Sequence, residues 1–479
     1  MANELRIPNL ALPGNPRYQP KDLVEDFGYD RLARTFVEVE LASLYTLADM
    51  GIVPQADMLQ LNQGHVDSML SITTSEMDKV EREVTGHDVR ALVRLMQEII
   101  PAPLRRWVHA PNTSFDVLDT ARILMFLRVH RNVVKPKTGR LIKVLRNQAV
   151  RYRDQVQIGR THGKHALPIT VGFWLATILG RVLFNAGAMN QHADGLVGKI
   201  AGAVGAQNAQ YGLGILAKGD FETLVLKRLG LRPAPISTQI LAPEPLAYYL
   251  FSALMLSGTF GQLGTDGRQL MRTEISEIME PFETGQVGSS TMAQKRNPVN
   301  FETVVAAWLK NKAEFLKVLE TIISEHQRDL TGSAVSRDFP TLIVNLVTQL
   351  DTLMRKGKED PRPFLERISV DTERCKLNLE MTGDRILAEP LYLALQMYGF
   401  EGDAHKLVSD RAMPLADQHG GLVPAIEVLA ATDEDLKSAW NKIPSDIHAL
   451  FRSPETYIGN AREKVDEIVR HADVFLARC

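Results

Sequence analysis

Apolar positions return at three- and four-residue steps over most of the chain. Between residues 35 and 50 the residues Phe36, Val37, Leu41, Leu44, Tyr45 and Ala48 keep this spacing, and Gly51 follows. That pattern predicts an amphipathic helix with its stop signal. Shorter helical patterns run through residues 77–84 and 89–99, and Pro101 and Pro103 then punctuate the chain. A first boundary is expected just beyond, near Asn112.

From Asp116 to about Ser336 the stretches become much longer. Residues 116–154 carry Val117, Ala121, Leu124, Leu127, Leu141, Leu145 and Ala149 at helical spacing, and Pro136 and Gly139 predict a kink or a break into two helices. Residues 171–198 and 245–277 are comparable, with glycines scattered through both. Pro298 suits the first turn of a further helix that passes Trp308, Phe315, Leu319 and Ile323 and reaches about His326. No strand-type alternation interrupts these runs, so the expected fold is all-α with a central bundle of long helices. The expected units are residues 1–112, an N-terminal helical domain, 113–370, the long-helix bundle, and 371–479, a domain of shorter helices broken by Gly399, Gly402, Gly420, Gly421 and Pro424. A helix of ~30 residues is about 45 Å long, more than a compact domain is wide, which predicts that its apolar faces need partner subunits.

Composition narrows the class. The 479 residues are 45% hydrophobic and 23% charged, with a formal net charge of −2. These values exclude disorder and give no global field for nucleic acid or an anionic membrane, so an anionic ligand must be held locally. Only Cys375 and Cys479 are present, without metal-type spacing, which fits a reducing, cytoplasmic compartment. The first residues lack a basic segment followed by an apolar stretch, and no window approaches ~20 uninterrupted apolar residues, so neither a secretion signal nor a membrane span is expected.

The stretch GQVGSSTMAQKRNPVNFE, residues 285–302, carries the most chemistry. Small residues come first, then hydroxyls, then Lys295 and Arg296, and a proline opens a helix. A glycine-containing loop leading into a helix offers free N–H groups and a positive dipole end to an anion. From Gly288 to Glu302 the stretch resembles the signature GSSxMPxKxNxxxxE of the fumarase/aspartase superfamily at every fixed position except Ala293, where the signature has proline. A residue other than proline there implies a more flexible loop, not a different reaction.

Other blocks follow in the family's order. Thr113 and Ser114 in TSFDVLDTA resemble the carboxylate-binding block that opens the long helices, and RTHGKHALP, from Arg160, resembles the RTHGQ-type segment, with His162 as its histidine and Lys164 in place of glutamine. GKIAGAVGAQNAQYG, residues 198–212, resembles the glycine-rich turn that lets backbone approach substrate. Within the superfamily the adenylosuccinate lyase branch is the most similar. Arg17 and Tyr18 resemble its phosphate-contacting pair, His87 and Asp88 its THDV-type block, and Gln239, Arg328, Ser333 and Arg337 its distal substrate-binding segment. AEPLYLALQMYGFEGDAHKLV and YIGNA extend the likeness to the C-terminal region.

The resemblance implies a three-domain fold and β-elimination of fumarate from a succinyl-substituted nucleotide, without metal or organic cofactor. It implies Ser289 as base, Ser290 as substrate ligand, and His162 as acid, oriented by Glu302. His87 would assist, while Lys295, Asn297, Thr113 and loop N–H groups stabilise the developing dianion. It also implies a homotetramer whose active sites collect blocks from three subunits. Taken singly, each block has an ordinary meaning, such as a helix cap, a core histidine or a surface charge. GLVGK at 195–199 is too short for a phosphate loop, and GLGILA at 212–217 lacks a preceding strand. Two competing readings remain: another lyase of the superfamily (argininosuccinate lyase, fumarase, aspartase or carboxymuconate cycloisomerase type), or a silent structural protein on the same scaffold.

Overall fold

The computed structural model describes residues 19–478. Arg17 and Tyr18 lie outside the described residues.

The N-terminal region is built on helix α1, Leu32–Asp49, ended by Gly51 at φ 66°, and on helix α2, Asp88–Ile99. Beyond Asn112 the long elements begin. Helix α3, Ser114–Val129, runs through a π turn, His130–Val134, into helix α4, Lys135–Arg151. The expected break at Pro136 is thus a π turn instead. Proline sits in the first turn of α4, where its missing N–H is not needed. Helices α5, Val171–Asp194, α6, Glu244–Leu270, α7, Val299–Glu320, and α8, Pro340–Leu353, complete the bundle. Three of the long helices are shorter than the apolar pattern predicts. α5 and α6 stop at Asp194 and Leu270, and α7 ends at Glu320, before the predicted end near His326.

The glycines scattered through α6 have a packing reason. Gly261, Gly264 and Gly267 recur at three-residue steps and face α7. A Cβ at Gly261 would come 2.9 Å from Trp308, and one at Gly267 would come 2.6 Å from the Phe301 ring. Glycine here lets two large rings seat against helix backbone. Buried amides lock the same contact: Asn311 donates to Ser257 Oγ and Leu342 O, each at 3.1 Å, and Gln349 donates to Ser257 O at 3.1 Å and Val304 O at 2.8 Å. With every donor placed, these polar groups fix the rotation of α6, α7 and α8. α5 is long and apolar enough to pass for a membrane span by composition, with mean hydropathy 1.4, but it packs between α4 and α6 as a core helix.

Two strand pairs depart from the expectation of unbroken helix. β1, Val156–Thr161, pairs antiparallel with β2, Lys164–Thr170, with a register shift between Ile158 and Arg160. β3, Ile278–Met279, pairs with β4, Ser369–Val370. The short alternation in β1 and Pro168 inside β2 blunt the strand signal.

One apolar cluster takes in both the N-terminal helices and the bundle, from Leu23 to Ile368, and includes Val465, Val469 and Ala472 of the last helix, α10, Ala461–Leu476. A second cluster runs from Leu391 to Phe451 and includes helix α9, Leu422–Ala430. The residues beyond 371 therefore divide among a separate small core, a patch of Leu379, Ile386 and Leu387 against Ile158 of β1, and a helix that returns to the bundle, packed on α4 and α5.

Candidate active site

A cavity of about 750 Å³ lies at the N-terminal end of α3. Its polar lining comes from four places in the sequence: Thr74, Asp78 and Glu81 ahead of α2, His87 and Asp88 at the start of α2, Ser114 and Arg122 of α3, and Arg328, Ser333 and Arg337 from the segment before α8. The far wall is apolar, with Phe27, Phe115 and Phe126. His87 Nδ1 lies 3.1 Å from Asp88 Oδ1, and its Nε2 lies 3.4 Å from Ser114 Oγ. Arg328 stacks on Phe115 with its guanidinium carbon 3.6 Å from the ring centroid, and it donates to Gln239 Oε1 at 2.8 Å. Its Nε is buried without a protein partner. Burial lowers the pKa of this guanidinium, against the raising effect of Asp119, Asp88 and Asp329. The fork is oriented by stacking and keeps a donor for an anion. Arg122, which sequence reasoning passed over, adds a cation 3.5 Å from Asp119.

The start of α3 is held by a buried ion pair. Asp116 and Lys199 are both fully buried, with Lys199 Nζ 2.5 Å from Asp116 Oδ1. The same carboxylate accepts from Ala201 N and Gly202 N and, through Oδ2, from Thr113 N at 2.8 Å. A single carboxylate thus joins the Thr113–Ser114 block to the glycine-rich turn. Gly205, at φ 76°, packs so closely that a Cβ would lie 2.0 Å from Ser237 O, which brings the segment carrying Gln239 alongside. Within this block, the glycine serves approach of backbone to backbone.

His162 sits at the tip of the β1–β2 hairpin. It and Gly163 both take positive φ, 54° and 74°, the geometry of a two-residue hairpin turn, and the imidazole is exposed. The base of the hairpin is fixed by Glu277, which is fully buried. That carboxylate accepts from Arg160 at 2.6 and 3.1 Å, from Gln157 Nε2 at 2.6 Å and from Asn378 Nδ2 at 2.8 Å. Four donors on one buried carboxylate satisfy it without solvent. No local motif flags Glu277, because its partners lie more than a hundred residues away.

The loop of residues 285–298 leads into α7 with Ser289 half-buried and Ser290 and Lys295 exposed. Ser289 Oγ accepts from Met292 N at 3.1 Å and from Thr291 N at 3.4 Å. Asn297 Nδ2 donates to Gly288 O at 3.2 Å, and Arg296 lies over the Phe282 ring at 4.6 Å. Pro298 is the residue before α7, one position earlier than the expected first turn. Glu302 faces Arg268 at 3.9 Å.

The chain therefore brings His87, Asp88, Ser114, Arg328, Ser333 and Arg337 around one cavity, with Gln239 bonded to its arginine. His162, Ser289, Ser290, Lys295, Asn297 and Glu302 do not line it.

A family model described as Lyase matches residues 50–309. The adenylosuccinate lyase of Archaeoglobus fulgidus is 31% identical over 96% of this chain and 98% of its own. The N-acetyl-S-(2-succino)cysteine lyase of Dickeya dadantii is 29% identical over 93% of this chain and 92% of its own. A crystal structure of fumarate lyase from Mesorhizobium sp. BNC1 has the same fold, with TM-score 0.79 at 21% identity over 96% of this chain and all of that one. The chain belongs to this lyase family, within the fumarase/aspartase superfamily.

Proposed function

We propose that the chain cleaves adenylosuccinate to AMP and fumarate, and that it performs the parallel cleavage of the succinyl-carboxamide ribotide of purine synthesis. The observation that carries this reading is the cavity that gathers the HDV block, Ser114 and the Arg328–Arg337 segment in one place, in a chain similar over 96% of its length to an adenylosuccinate lyase. Arginines beside an aromatic wall suit a nucleotide monophosphate.

Elimination begins with proton removal beside a carboxylate, which then carries two negative charges. Ser289 takes that proton. Lowering a hydroxyl by ~6 pKa units costs about 8 kcal/mol, so the oxygen needs strong donors. Its two backbone N–H contacts supply part of this, and Lys295 and exclusion of water on closure supply the rest. His162 protonates the departing nitrogen, with Glu302 orienting the imidazole. Thr113, Ser290 and Asn297 hold the succinyl carboxylates, and Arg17 and Tyr18 add to phosphate binding.

Exposed apolar side chains along the bundle, Tyr248, Phe251 and Met255 of α6 and Leu309, Leu316 and Leu319 of α7, support assembly into a homotetramer. In that assembly the hairpin tip and the loop of neighbouring subunits complete each cavity. The working units are residues 1–112, 113–370 and 371–479, and the enzyme acts in the cytoplasm.

Incubation with adenylosuccinate while following its ultraviolet spectrum and fumarate release tests the reading. Turnover of this substrate is expected. Fumarate released only from S-succinylated thiols or from argininosuccinate would replace it with another lyase of the family.

A further inference from the structure

The segment of residues 355–367, between α8 and β4, is rich in cations and belongs to none of the family blocks, yet it grips both ends of the Ser289 loop. Arg367 is nearly buried and knits the segment together: its Nε donates to Arg362 O at 3.0 Å and its NH2 to Arg355 O at 3.3 Å. The remaining donor, NH1, reaches Glu283 Oε1 at 3.2 Å, and Lys358 N donates to the same oxygen at 3.1 Å. Glu283 lies two residues before Gly285, whose φ is 75°. Gly357 is where these groups converge, since a Cβ there would lie 2.6 Å from both Arg367 NH1 and Glu283 Oε1.

The other end of the loop is tied to the same segment. Arg355 NH1 donates to Asn300 Oδ1 at 3.2 Å. Asn300 in turn donates through Nδ2 to Glu280 Oε2 at 2.8 Å, and Phe301 N donates to Glu280 Oε1 at 2.9 Å. Glu280 precedes the loop and Asn300 and Phe301 follow it, so one carboxylate closes the loop at its base. Thr284 Oγ1 also donates to Glu359 Oε2 at 3.3 Å, so together these contacts leave residues 285–297 as the part free to move, with its outset set at Gly285.

We propose that Glu283 and Arg367 are positioning residues that form a fixed stem for the Ser289 loop and so set where its hydroxyl arrives on closure. The inference rests on the reading of Ser289 as the base. Neither residue lines the cavity, so their loss should act on the chemical step and not on binding.

The test compares the full-length enzyme with Glu283→Ala, Arg367→Ala and Arg367→Lys. Arg362→Ala serves as a control, because that side chain pairs with Asp360 alone among the described residues. Steady-state kinetics with adenylosuccinate is read beside amide hydrogen exchange of residues 285–297. The two alanine variants at the stem are expected to exchange faster in that loop and to lose ~10-fold in kcat with KM within ~2-fold, as for a misplaced catalytic group. Arg367→Lys should fall between them and the parent, and Arg362→Ala should match the parent. Faster exchange with unchanged kcat, or a lower kcat with unchanged exchange, overturns the proposal. If Arg367→Ala does not fold, Glu283→Ala decides, since it removes the same contact from the loop side. If the parent releases no fumarate from adenylosuccinate, the functional reading fails separately; the stem then stands or falls on whether the substitutions loosen residues 285–297.

Discussion

The cavity at the start of α3 and the elements carrying Ser289 and His162 differ in how they are held. Around the cavity, Arg328 is stacked on Phe115, Asp116 and Lys199 are fully buried, and His87 touches both Asp88 and Ser114. Ser289, half-buried, and His162, exposed, instead sit on a loop and at a hairpin tip whose bases are held by Glu280 and Glu277. On the proposed reading, the groups that bind are set in advance by packing, and the groups that move protons are carried on arms held at their roots. This division suits an elimination in which the base becomes strong only after water is excluded.

The comparison is broken most severely at the arms. Ser289→Ala and His162→Ala are each expected to lower kcat by ~10²–10⁴-fold, the usual span for a lost acid or base, with an unchanged elution volume on size exclusion. His162 is exposed, Ser289 is half-buried on a loop, and neither belongs to the apolar core, so their truncation opens no core cavity. Near-normal fumarate release by the Ser289 variant would move the base elsewhere and remove the contrast between the two regions.

At the cavity the largest effect falls on its foundation. Lys199→Ala leaves the Asp116 carboxylate buried without its cation, which should destabilise the fold by ~3–5 kcal/mol and show as a lower unfolding temperature. A variant as stable as the parent would mean that the backbone donors at residues 201 and 202 satisfy Asp116 unaided. Arg328→Ala should be milder. It removes an oriented cation from the binding surface and should raise KM for adenylosuccinate ~10-fold or more while kcat changes less. Equal losses in both constants would place Arg328 with the proton-moving groups.

How much of this was legible in the sequence depended on the distance between interacting residues. The loop could be read because its hydroxyls, cations and helix-starting proline are consecutive, from Gly288 to Glu302. The long helices could be read because their period persists, and even the glycines of α6 had a visible spacing. The hairpin could not, because β1 is six residues long and β2 contains proline. Glu277 was hidden for another reason: a carboxylate near two short strands reads as a surface charge until Gln157, Arg160 and Asn378 arrive from elsewhere in the chain. The return of α10 to the bundle depends likewise on contacts with α4 and α5, some three hundred residues earlier, that its own amphipathic pattern does not name.

A histidine among the supports of the preorganised region is pH-sensitive, and it gives the smallest expected effect. His109, four residues before Thr113, takes φ 72° and lies 2.6 Å from the carboxylate of Glu40, which is almost fully buried. Asn112 donates to Ser43 Oγ at 2.9 Å beside it, so the pair shapes the approach to α3. Burial alone would lower the imidazole pKa, but the hydrogen bond and charge of Glu40 outweigh it, and the net shift is upward from 6.5. A histidine whose folded pKa is raised stabilises the fold fully below its unfolded value and loses that contribution as pH rises through the folded value. The parent should therefore become less resistant to denaturant from slightly acidic toward alkaline pH, and His109→Gln should flatten that part of the profile. An unchanged slope in the variant would show that the imidazole and Glu40 do not share a proton in the folded chain, and that packing alone holds the approach to the cavity.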